Sequence, residues 1–369
     1  MRVLLLAGSY PPDQCGVGDY IEKLANSLGK VKDVRVGVLT TFVPRHQRAS
    51  TSAVDLLDVV HQWSFSELPR LISTIRRWKP DVVHIQYPSQ GFSRPGLSSF
   101  LPLICRVMGL RVLQTWHEPH GINKAHRMKS IIYFFALRLG AEGLIFVRSN
   151  YISLIPRCFN NLIKRIPHVI ISNASSLPPS SLNEAERIDL RCKYLGSHRR
   201  LVIFFGFVYP SKGIELLFDI ANPTSDSIVV VGSIKDVAYM QELDNFARAK
   251  QWCDGQLHIT GFLAPKEAAD LLAVADAVVL PFRDGGGDWN TSIHSALAQG
   301  TLVITTAVPP RGDEPKRNLY TATPLDVDEM RGALDRIAGR RIAPISVENQ
   351  WKEIATSHVA FYQKMINQF

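Results

Sequence analysis

The stretch from Val278 to Thr306, VVLPFRDGGGDWNTSIHSALAQGTLVITT, reads as strand, loop, helix and strand in succession. Its apolar start is typical of a buried strand that ends at Pro281. Three consecutive glycines follow, and because glycine has no Cβ atom, its backbone N–H can approach a ligand closely. A helix is expected next, capped by Asn290 or Thr291 and ended by Gly300, before a second apolar run. The stretch therefore predicts an α/β fold.

Two interpretations of this stretch stay open on the residues alone. In the first, it is an ordinary strand–helix–strand crossover whose glycines only permit a tight turn. In the second, it is an anion site, because a helix N-terminus that faces a glycine loop attracts phosphate groups.

A family resemblance favours the second interpretation. The residues Ser295 to Thr306, SALAQGTLVITT, resemble the donor-site segment of the retaining GT-B-fold glycosyltransferases of family 4. That segment usually contains two glutamates, and here Ser295 stands where the second is found. A branch of the group has Pro-Phe-Arg-Asp-Gly in place of the Glu-x7-Glu motif, and residues 281–285 match it.

Length and composition agree with a two-domain protein. The 369 residues are 46% hydrophobic and 20% charged, which suits a globular chain with room for two domains. No apolar run approaches the roughly 20 residues that cross a bilayer, and no signal peptide is expected. The five scattered cysteines indicate a reducing compartment without a zinc site or disulfide framework.

Positive charge is concentrated in the first half of the chain. Residues 1–172 contain 22 Lys and Arg against 10 Asp and Glu, whereas residues 173–369 contain 20 against 23. The asymmetry suggests an anionic partner for the first half. The segment Lys124–Leu139 is basic and then apolar, which fits either a buried helix with a solvated basic end or a patch that docks on an anionic membrane.

The first half alternates strands and helices, as expected for a Rossmann-like domain. After the first strand, a glycine-containing segment leads into a helix, and it resembles the cleft-facing opening of the same glycosyltransferase group. The resemblance implies donor-side roles for two glycines and acceptor-side roles for two other residues: Gly16 and Gly18, then Tyr10 and Asp19. The glycine spacing lacks the full dinucleotide fingerprint, which disfavours a nicotinamide enzyme.

A fourth expected strand delivers His117 and Glu118 to the carboxyl end of the sheet, where open α/β folds bind ligands. A histidine in this position is often structural. The group carries a histidine here that contacts the donor sugar, which implies a catalytic role for His117 and an acceptor-side role for Glu118. His120 is a weaker candidate. The spacing of the two histidines supports no metal site.

The second half restarts the pattern, and the resemblance places the donor site there. The group's Gly-Arg, Lys-Gly motif corresponds to Gly206, Lys212 and Gly213, but Phe207 replaces the arginine. Arg283 is the predicted substitute for that charge on the diphosphate. The resemblance also implies base contacts, a sugar contact and loop contacts from the following residues: Phe262 and Leu263, Asp284, and Gly285, Gly286, Gly287 and Ser295.

The sequence and the resemblance together predict the domain organisation. An N-terminal acceptor-side domain is expected at residues 1–172 and a C-terminal nucleotide-sugar domain at residues 173–345. The last helix, 346–369, is expected to return to the first domain, as it does in the group. The polar stretch Ser175–Glu186 is read as the linker, and Asp326-Val327-Asp328 as helix capping rather than a metal motif.

The resemblance implies two Rossmann-like parallel sheets that face each other across a cleft. The cysteines indicate a cytoplasmic enzyme, and the charge asymmetry suggests the inner face of the cell membrane as one candidate partner surface. By the resemblance, the enzyme would transfer a sugar from a nucleotide diphosphate to an acceptor hydroxyl, on a lipid-linked or growing glycan, in polysaccharide or glycolipid assembly. No cofactor, metal or nucleic acid is expected. Two alternatives remain: a nucleotide-sugar epimerase on the same fold, and a scaffold protein without turnover, which the departures at Phe207 and Ser295 favour.

Overall fold

The computed structural model describes residues 1–44, 54–89, 91–92, 96–118, 127–155, 157–234, 236–252, 255–287 and 289–367, and only the backbone of 127–130. His120 and residues 124–126 of the basic segment lie outside that part of the chain. The chain divides into two compact units. Unit 1 comprises Met1–Asn173 with Glu348–Phe369, and unit 2 comprises Ala174–Val347.

Unit 1 is built on a seven-stranded sheet. Its strands are β1 Arg2–Leu6, β2 Arg35–Thr41, β3 Val54–Val60, β4 Val82–Tyr87, β5 Arg111–Trp116, β6 Gly143–Phe146 and β7 His168–Ile170. Its first six helices are α1 Gly16–Gly29, α2 Leu68–Trp78, α3 Leu97–Val107, α4 Arg127–Gly140, α5 Tyr151–Leu154 and α6 Arg157–Ile163. The strands pair in parallel in the order β3-β2-β1-β4-β5-β6-β7.

Unit 2 repeats this architecture. Its helices are α7 Glu184–Leu195, α8 Leu217–Ile220, α9 Val237–Ala249, α10 Pro265–Val274, α11 Thr291–Ala298 and α12 Val327–Ile337. Its strands are β8 Arg200–Phe205, β9 Asp226–Val231, β10 Leu257–Gly261, β11 Ala277–Leu280, β12 Val303–Thr306, β13 Gly312–Glu314 and β14 Leu319–Ala322. The order is β10-β9-β8-β11-β12-β14-β13, and β13 pairs antiparallel to β14.

Short apolar runs form the central strands, whose side chains are buried on both faces of each sheet. Every residue of β4, β9, β11 and β12 is buried, as parallel sheets require. The expected fold class, two Rossmann-like parallel sheets, is confirmed.

The final helix, α13 Val347–Asn367, belongs to unit 1. It buries one face against that unit, and Glu348 at its start forms an ion pair with Lys30 at 2.9 Å. The buried residues are Trp351, Ile354, Ala355, His358, Val359, Phe361, Tyr362 and Met365. The apolar periodicity of the sequence predicts most of this face.

The structure differs from the sequence-based prediction in three places. The sequence does not predict β3, because its two aspartates interrupt the apolar pattern. The sequence predicts one helix from Ile214 to Ala221, but the structure has a 3-10 turn over Ile214–Leu216 followed by the single-turn α8. The stretch read as a linker is packed on unit 2: Ser175 is fully buried and α7 begins at Glu184, with Asn183 and Glu186 forming a capping box.

Candidate functional site

The strand order of unit 2 reverses between β8 and β11, which are parallel neighbours. The chain continues from β8 to β9 on one side of the sheet and from β11 to β12 on the other. In open α/β sheets this switch point leaves a crevice at the carboxyl ends of the strands, where ligands bind. The predicted donor motifs, residues 206–213 and 281–290, follow β8 and β11 directly.

The loop after β8 lies against the start of α11. Gly206 has φ of +136°, and a Cβ atom at this position would lie 2.8 Å from the Ser292 Oγ atom. Asn290 caps α11, since its side chain accepts a hydrogen bond from the Ser292 N–H at 3.0 Å. The predicted N-cap is confirmed, and Gly206 lies beside the helix N-terminus, where the helix dipole favours an anion.

Lys212 lies in the loop after β8, at the place where this loop contacts the loop after β11. It ends the 3-10 turn Pro210–Lys212, and Gly213 follows with a left-handed φ of +66°. The Lys212 Nζ atom lies 4.6 Å from the centroid of the Phe282 ring. The Arg283 N–H donates to the Ser211 carbonyl oxygen at 3.2 Å. Lys212, Gly213 and Arg283 are thus brought together at the switch point.

The charge of Arg283 already has a partner in the protein. Its Nη2 group forms an ion pair with Glu215, whose other carboxylate oxygen accepts a hydrogen bond from the Tyr239 hydroxyl at 2.6 Å. That Arg283 supplies a charge to the diphosphate stays a prediction, and Glu215 neutralises part of that charge. Asp284, exposed at the same place, borders a cavity of about 450 Å³ together with these residues.

The three loop glycines do not present three N–H groups to a ligand. The Gly286 N–H donates to the Thr306 carbonyl oxygen at 2.6 Å, and the Gly285 N–H donates to the Phe282 carbonyl oxygen at 3.2 Å. The expected cradle is therefore wrong for these two groups. Only Gly287, of the three, keeps an N–H without an acceptor among the described residues. A Cβ atom on Gly286 would lie 2.7 Å from the Phe282 ring, so packing also requires glycine there.

The remaining residues predicted to contact the donor are Ser295, Phe262 and Leu263, and they differ in exposure. Ser295 is fully buried, and its hydroxyl is 3.4 Å from that of Ser175, so its predicted ligand contact is corrected to a core contact. Phe262 is 53% exposed and, with Leu263, follows β10. Since β10 lies two strands from β8, about 10 Å away at usual strand spacing, a base there could belong to a nucleotide whose phosphates lie at the switch point.

In unit 1 the strand order reverses between β1 and β4, and His117 follows the next strand, β5. The His117 Nε2 atom is 2.8 Å from the Gln86 Oε1 atom, and the Tyr20 ring packs edge-on at 4.8 Å between centroids. Burial, aided by His358, lowers the pKa of His117 to about 3. His117 is therefore neutral near pH 7 and can act as a hydrogen-bonding group, not as a cation.

Behind His117 lies a buried polar network that the sequence did not predict. The Gln86 side chain also approaches His84, whose ring nitrogens contact the Tyr362 hydroxyl and the Thr115 hydroxyl, each at 2.7 Å. Two polar side chains in the otherwise apolar β4 were the available signal. This network fixes the position of Gln86 and, through it, the orientation of the His117 ring.

The other predicted residues of unit 1 are spread around the start of α1. Gly16 is exposed, while Gly18 is buried and a Cβ atom there would lie 3.4 Å from the Ser9 carbonyl oxygen. Tyr10 is buried, and its hydroxyl has no hydrogen-bond partner among the described residues. Glu118 is exposed. Asp19 is half-buried, and its burial, followed by the charge of Glu22, raises its pKa from 3.8 to about 6.

The raised pKa of Asp19 predicts a pH-dependent stability. Between about pH 4 and 6 the native state keeps a proton that the unfolded state has released, so the free energy of unfolding falls as pH rises through this window. Asp19→Asn should therefore raise the free energy of unfolding at pH 7 by about 1–2 kcal/mol and leave it unchanged at pH 4. Urea titrations at both pH values measure this difference. The exposed Asp13→Asn is the control, and equal effects of Asp19→Asn at both pH values would contradict the prediction.

Neither a metal site nor a membrane span is found in the described part of the chain. No three His, Cys, Asp or Glu side chains there are grouped to hold a metal ion. No helix there is both long and apolar enough to cross a bilayer. The expected capping role of Asp326 is confirmed, because its side chain accepts from the Glu329 N–H at 2.9 Å.

Known proteins resemble this chain in two ways. Residues 199–339 match the family model of the "Glycosyl transferases group 1". A glycosyltransferase from Rickettsia africae has a TM-score of 0.73 at 12% identity, covering 99% of this chain and 98% of that one. A sucrose-phosphate synthase from Thermosynechococcus elongatus has 0.72 at 16%, covering 100% of both chains. Anabaena HepE in complex with UDP-glucose has 0.68 at 13%, covering 100% and 99%. No curated protein sequence matches.

These identities are too low to transfer a substrate, but the coverage extends over both units. The chain has the two-domain α/β fold of the GT-B glycosyltransferases, and its residues 199–339 are similar to the group 1 glycosyl transferases.

Proposed function

We propose that the chain is a retaining glycosyltransferase that moves a sugar from a nucleoside diphosphate to an acceptor hydroxyl. One observation carries the proposal: the region that matches the group 1 family model places Lys212, Asp284 and the α11 N-terminus around one switch point. HepE, a structural neighbour, is in complex with UDP and with UDP-glucose. The retaining outcome and the family 4 branch rest on the sequence motifs.

The chemistry asks little of side chains beyond placement and charge. When the diphosphate leaves, its growing negative charge must be met by fixed positive groups. In unit 2 these are Lys212, the remaining donors of Arg283, and the N–H groups of Gly287 and the start of α11. His117 stays a predicted sugar contact. The proposed reaction requires no cofactor or metal.

A screen of UDP-, GDP-, ADP- and dTDP-sugars tests the proposal. A ligand at 100 times its dissociation constant stabilises the native state by about 2.7 kcal/mol, which a melting curve detects. Proton NMR of the product from the donor that binds then reports whether the anomeric configuration is retained. If no nucleotide sugar shifts the melting temperature, the scaffold alternative is favoured; an epimerised nucleotide sugar without transfer would favour the epimerase.

Asp284 separates sugar recognition from nucleotide recognition. Its exposed carboxylate beside the cavity suits hydrogen bonds from sugar hydroxyls. Asp284→Ala should weaken nucleotide-sugar binding by about 10-fold, the usual effect of losing a charged hydrogen bond, and leave binding of the bare nucleotide unchanged. Calorimetric titration of both ligands measures the difference, with the exposed Glu242→Ala of the same cavity as the control. Equal weakening of both ligands would contradict a sugar contact.

We further propose that unit 1 docks on an anionic membrane, which suits a lipid-linked acceptor. Helix α4 buries Tyr133, Phe134 and Leu137 but exposes an apolar stripe on its other side. The stripe consists of Ile132, Phe135 and Leu139, which are 40%, 52% and 64% exposed. Residues 119–173 contain eight Lys and Arg and a single acidic residue. Apolar insertion and attraction to acidic headgroups therefore act together.

Membrane docking predicts salt-sensitive binding to acidic vesicles. Phe135→Ser with Leu139→Ser should lower partition onto phosphatidylglycerol vesicles by at least about 10-fold, because burying even one such side chain contributes about 1.5–3 kcal/mol. Vesicle sedimentation at low and at 0.5 M salt measures this partition, and Val237→Ser, at an apolar residue of unit 2 that is 73% exposed, is the control. Equal partition onto neutral and acidic vesicles would contradict the proposal.

A further inference from the structure

The Arg283 guanidinium group uses only part of its hydrogen-bonding capacity within the described protein. One Nη2 group pairs with Glu215, and the side chain is 44% exposed. Among the described residues, its remaining guanidinium N–H groups donate to no protein acceptor. Arg283 lines the cavity that Ser211 and Asp284 also line. The guanidinium can therefore bind an anion while the ion pair keeps it in place.

Glu215 is itself fixed. It lies in the 3-10 turn that follows Gly213, and it is only 9% exposed. The hydroxyl of Tyr239, a buried residue of α9, donates to its second carboxylate oxygen at 2.6 Å. Both carboxylate oxygens are thus engaged, one by Tyr239 and one by Arg283. A long exposed arginine loses much side-chain entropy when it binds a ligand, and a buried partner that already holds it reduces that cost.

We propose that Glu215, supported by Tyr239, is a positioning residue of the donor site: it orients Arg283 so that the free guanidinium N–H groups meet the diphosphate of the nucleotide. This inference rests on the proposed function. It also gives a physical reason why Phe207 can replace the arginine of the group's motif. The basic group comes from the loop after β11, and the turn after β8 supplies the carboxylate that holds it.

Two effects of Glu215 on an anion oppose each other, and two substitutions separate them. Its negative charge weakens anion binding, whereas its hydrogen bonds orient Arg283. Glu215→Gln removes the charge but keeps an oxygen that can accept from Arg283. Glu215→Ala removes both. The affinity ratio between the Gln and Ala variants therefore measures orientation alone, and it should depend on Arg283.

The experiment titrates UDP, GDP, ADP and inorganic pyrophosphate into the full-length protein by calorimetry, using the diphosphate that binds most tightly. With Arg283 present, the Gln variant should bind it about 10-fold more tightly than the Ala variant, as for one oriented charged hydrogen bond. In the Arg283→Ala background the two should bind equally. Asp244→Ala, which removes an exposed carboxylate of α9 that is not among the residues lining the cavity, should leave the affinity within about 2-fold. In steady state the Ala variant should raise KM for the donor more than it lowers kcat.

Tyr239→Phe provides a second variant if Glu215→Ala does not fold. It should weaken diphosphate binding about 3-fold with Arg283 present and have no effect in the Arg283→Ala background. A Gln-to-Ala ratio that persists without Arg283 would show that Glu215 only packs the turn, and a ratio near one with Arg283 present would show no orienting role. Either result overturns this inference and leaves the proposed function standing. If none of the diphosphates binds, the proposed function fails and the inference with it.

Discussion

Lys212→Ala should lower the turnover of sugar transfer by about 30- to 1000-fold while leaving the apoprotein's melting temperature nearly unchanged. Two phosphates that leave together need a fixed positive charge, and losing one preorganised group of this kind costs about 2–4 kcal/mol of transition-state stabilisation. In the folded protein, the Lys212 Nζ atom lies 4.6 Å from the centroid of the buried Phe282 ring, and such a cation–π contact contributes about 0.5–2 kcal/mol. The catalytic effect should therefore exceed the structural one.

Lys193→Ala is the matched control. Lys193 also belongs to unit 2, and its Nζ atom lies 5.1 Å from the centroid of the Tyr194 ring. Removing it deletes the same charge and the same type of ring contact on α7, which does not follow β8 or β11 in the sequence. Transfer rates at saturating donor should be unchanged for this variant. Full activity of Lys212→Ala would mean that another group meets the leaving diphosphate.

Gly213→Ala should damage both stability and activity. Gly213 has φ of +66°, where an alanine costs about 1–2 kcal/mol, and an added Cβ atom would overlap the Pro281 carbonyl oxygen. Overpacking against backbone typically adds about 1–3 kcal/mol. The overlap can be relieved only by moving apart the loops after β8 and β11. Because a displacement of about 1 Å can cost 100-fold in rate, we expect a turnover loss of about that size.

Gly312→Ala isolates the backbone strain from the overlap. Gly312 has φ of +69°, and an added Cβ atom would meet no atom of the described residues within 4 Å. This variant should lose about 1 kcal/mol of unfolding free energy and keep full activity. Urea titrations and transfer rates of the two alanine variants measure the difference. If they lose stability and activity equally, the close approach of the two loops is not needed for the site.

The fold was predictable because its signals are local. Apolar runs of four to six residues, glycine and proline punctuation, and the amphipathic pattern of α13 predict most elements. The missed β3 contains Asp55, which bonds to Arg35 and to Trp78, so its polarity is compensated by tertiary contacts that the sequence does not show. The linker reading of Ser175 failed for the same reason, since a buried serine and an exposed one look alike in a sequence.

The candidate site was predictable in position but not in its hydrogen bonds. The resemblance placed Lys212 and Arg283 near one another, and the strand order of unit 2 explains why. The partner of Arg283 is 68 positions away in the sequence, and the acceptor for the Gly286 N–H is the carbonyl oxygen of Thr306 on a neighbouring strand. Which charges and N–H groups remain available to a ligand depends on such pairings, which motif spacing does not contain.

The most direct test of the central claim compares the affinities of a nucleoside diphosphate and of its monophosphate for the switch point of unit 2. Titration of UDP against UMP, and of the GDP, ADP and dTDP pairs, is carried out on the wild-type protein and on Lys212→Ala. For the cognate base the wild type should bind the diphosphate at least about 10-fold more tightly, because the second phosphate gains a charged hydrogen bond. Lys212→Ala should lower that preference by about 10-fold and leave the part that Arg283 contributes, whereas Lys193→Ala keeps it. Equal affinity for diphosphate and monophosphate in the wild type, or a preference that Lys212→Ala leaves unchanged, would contradict the account.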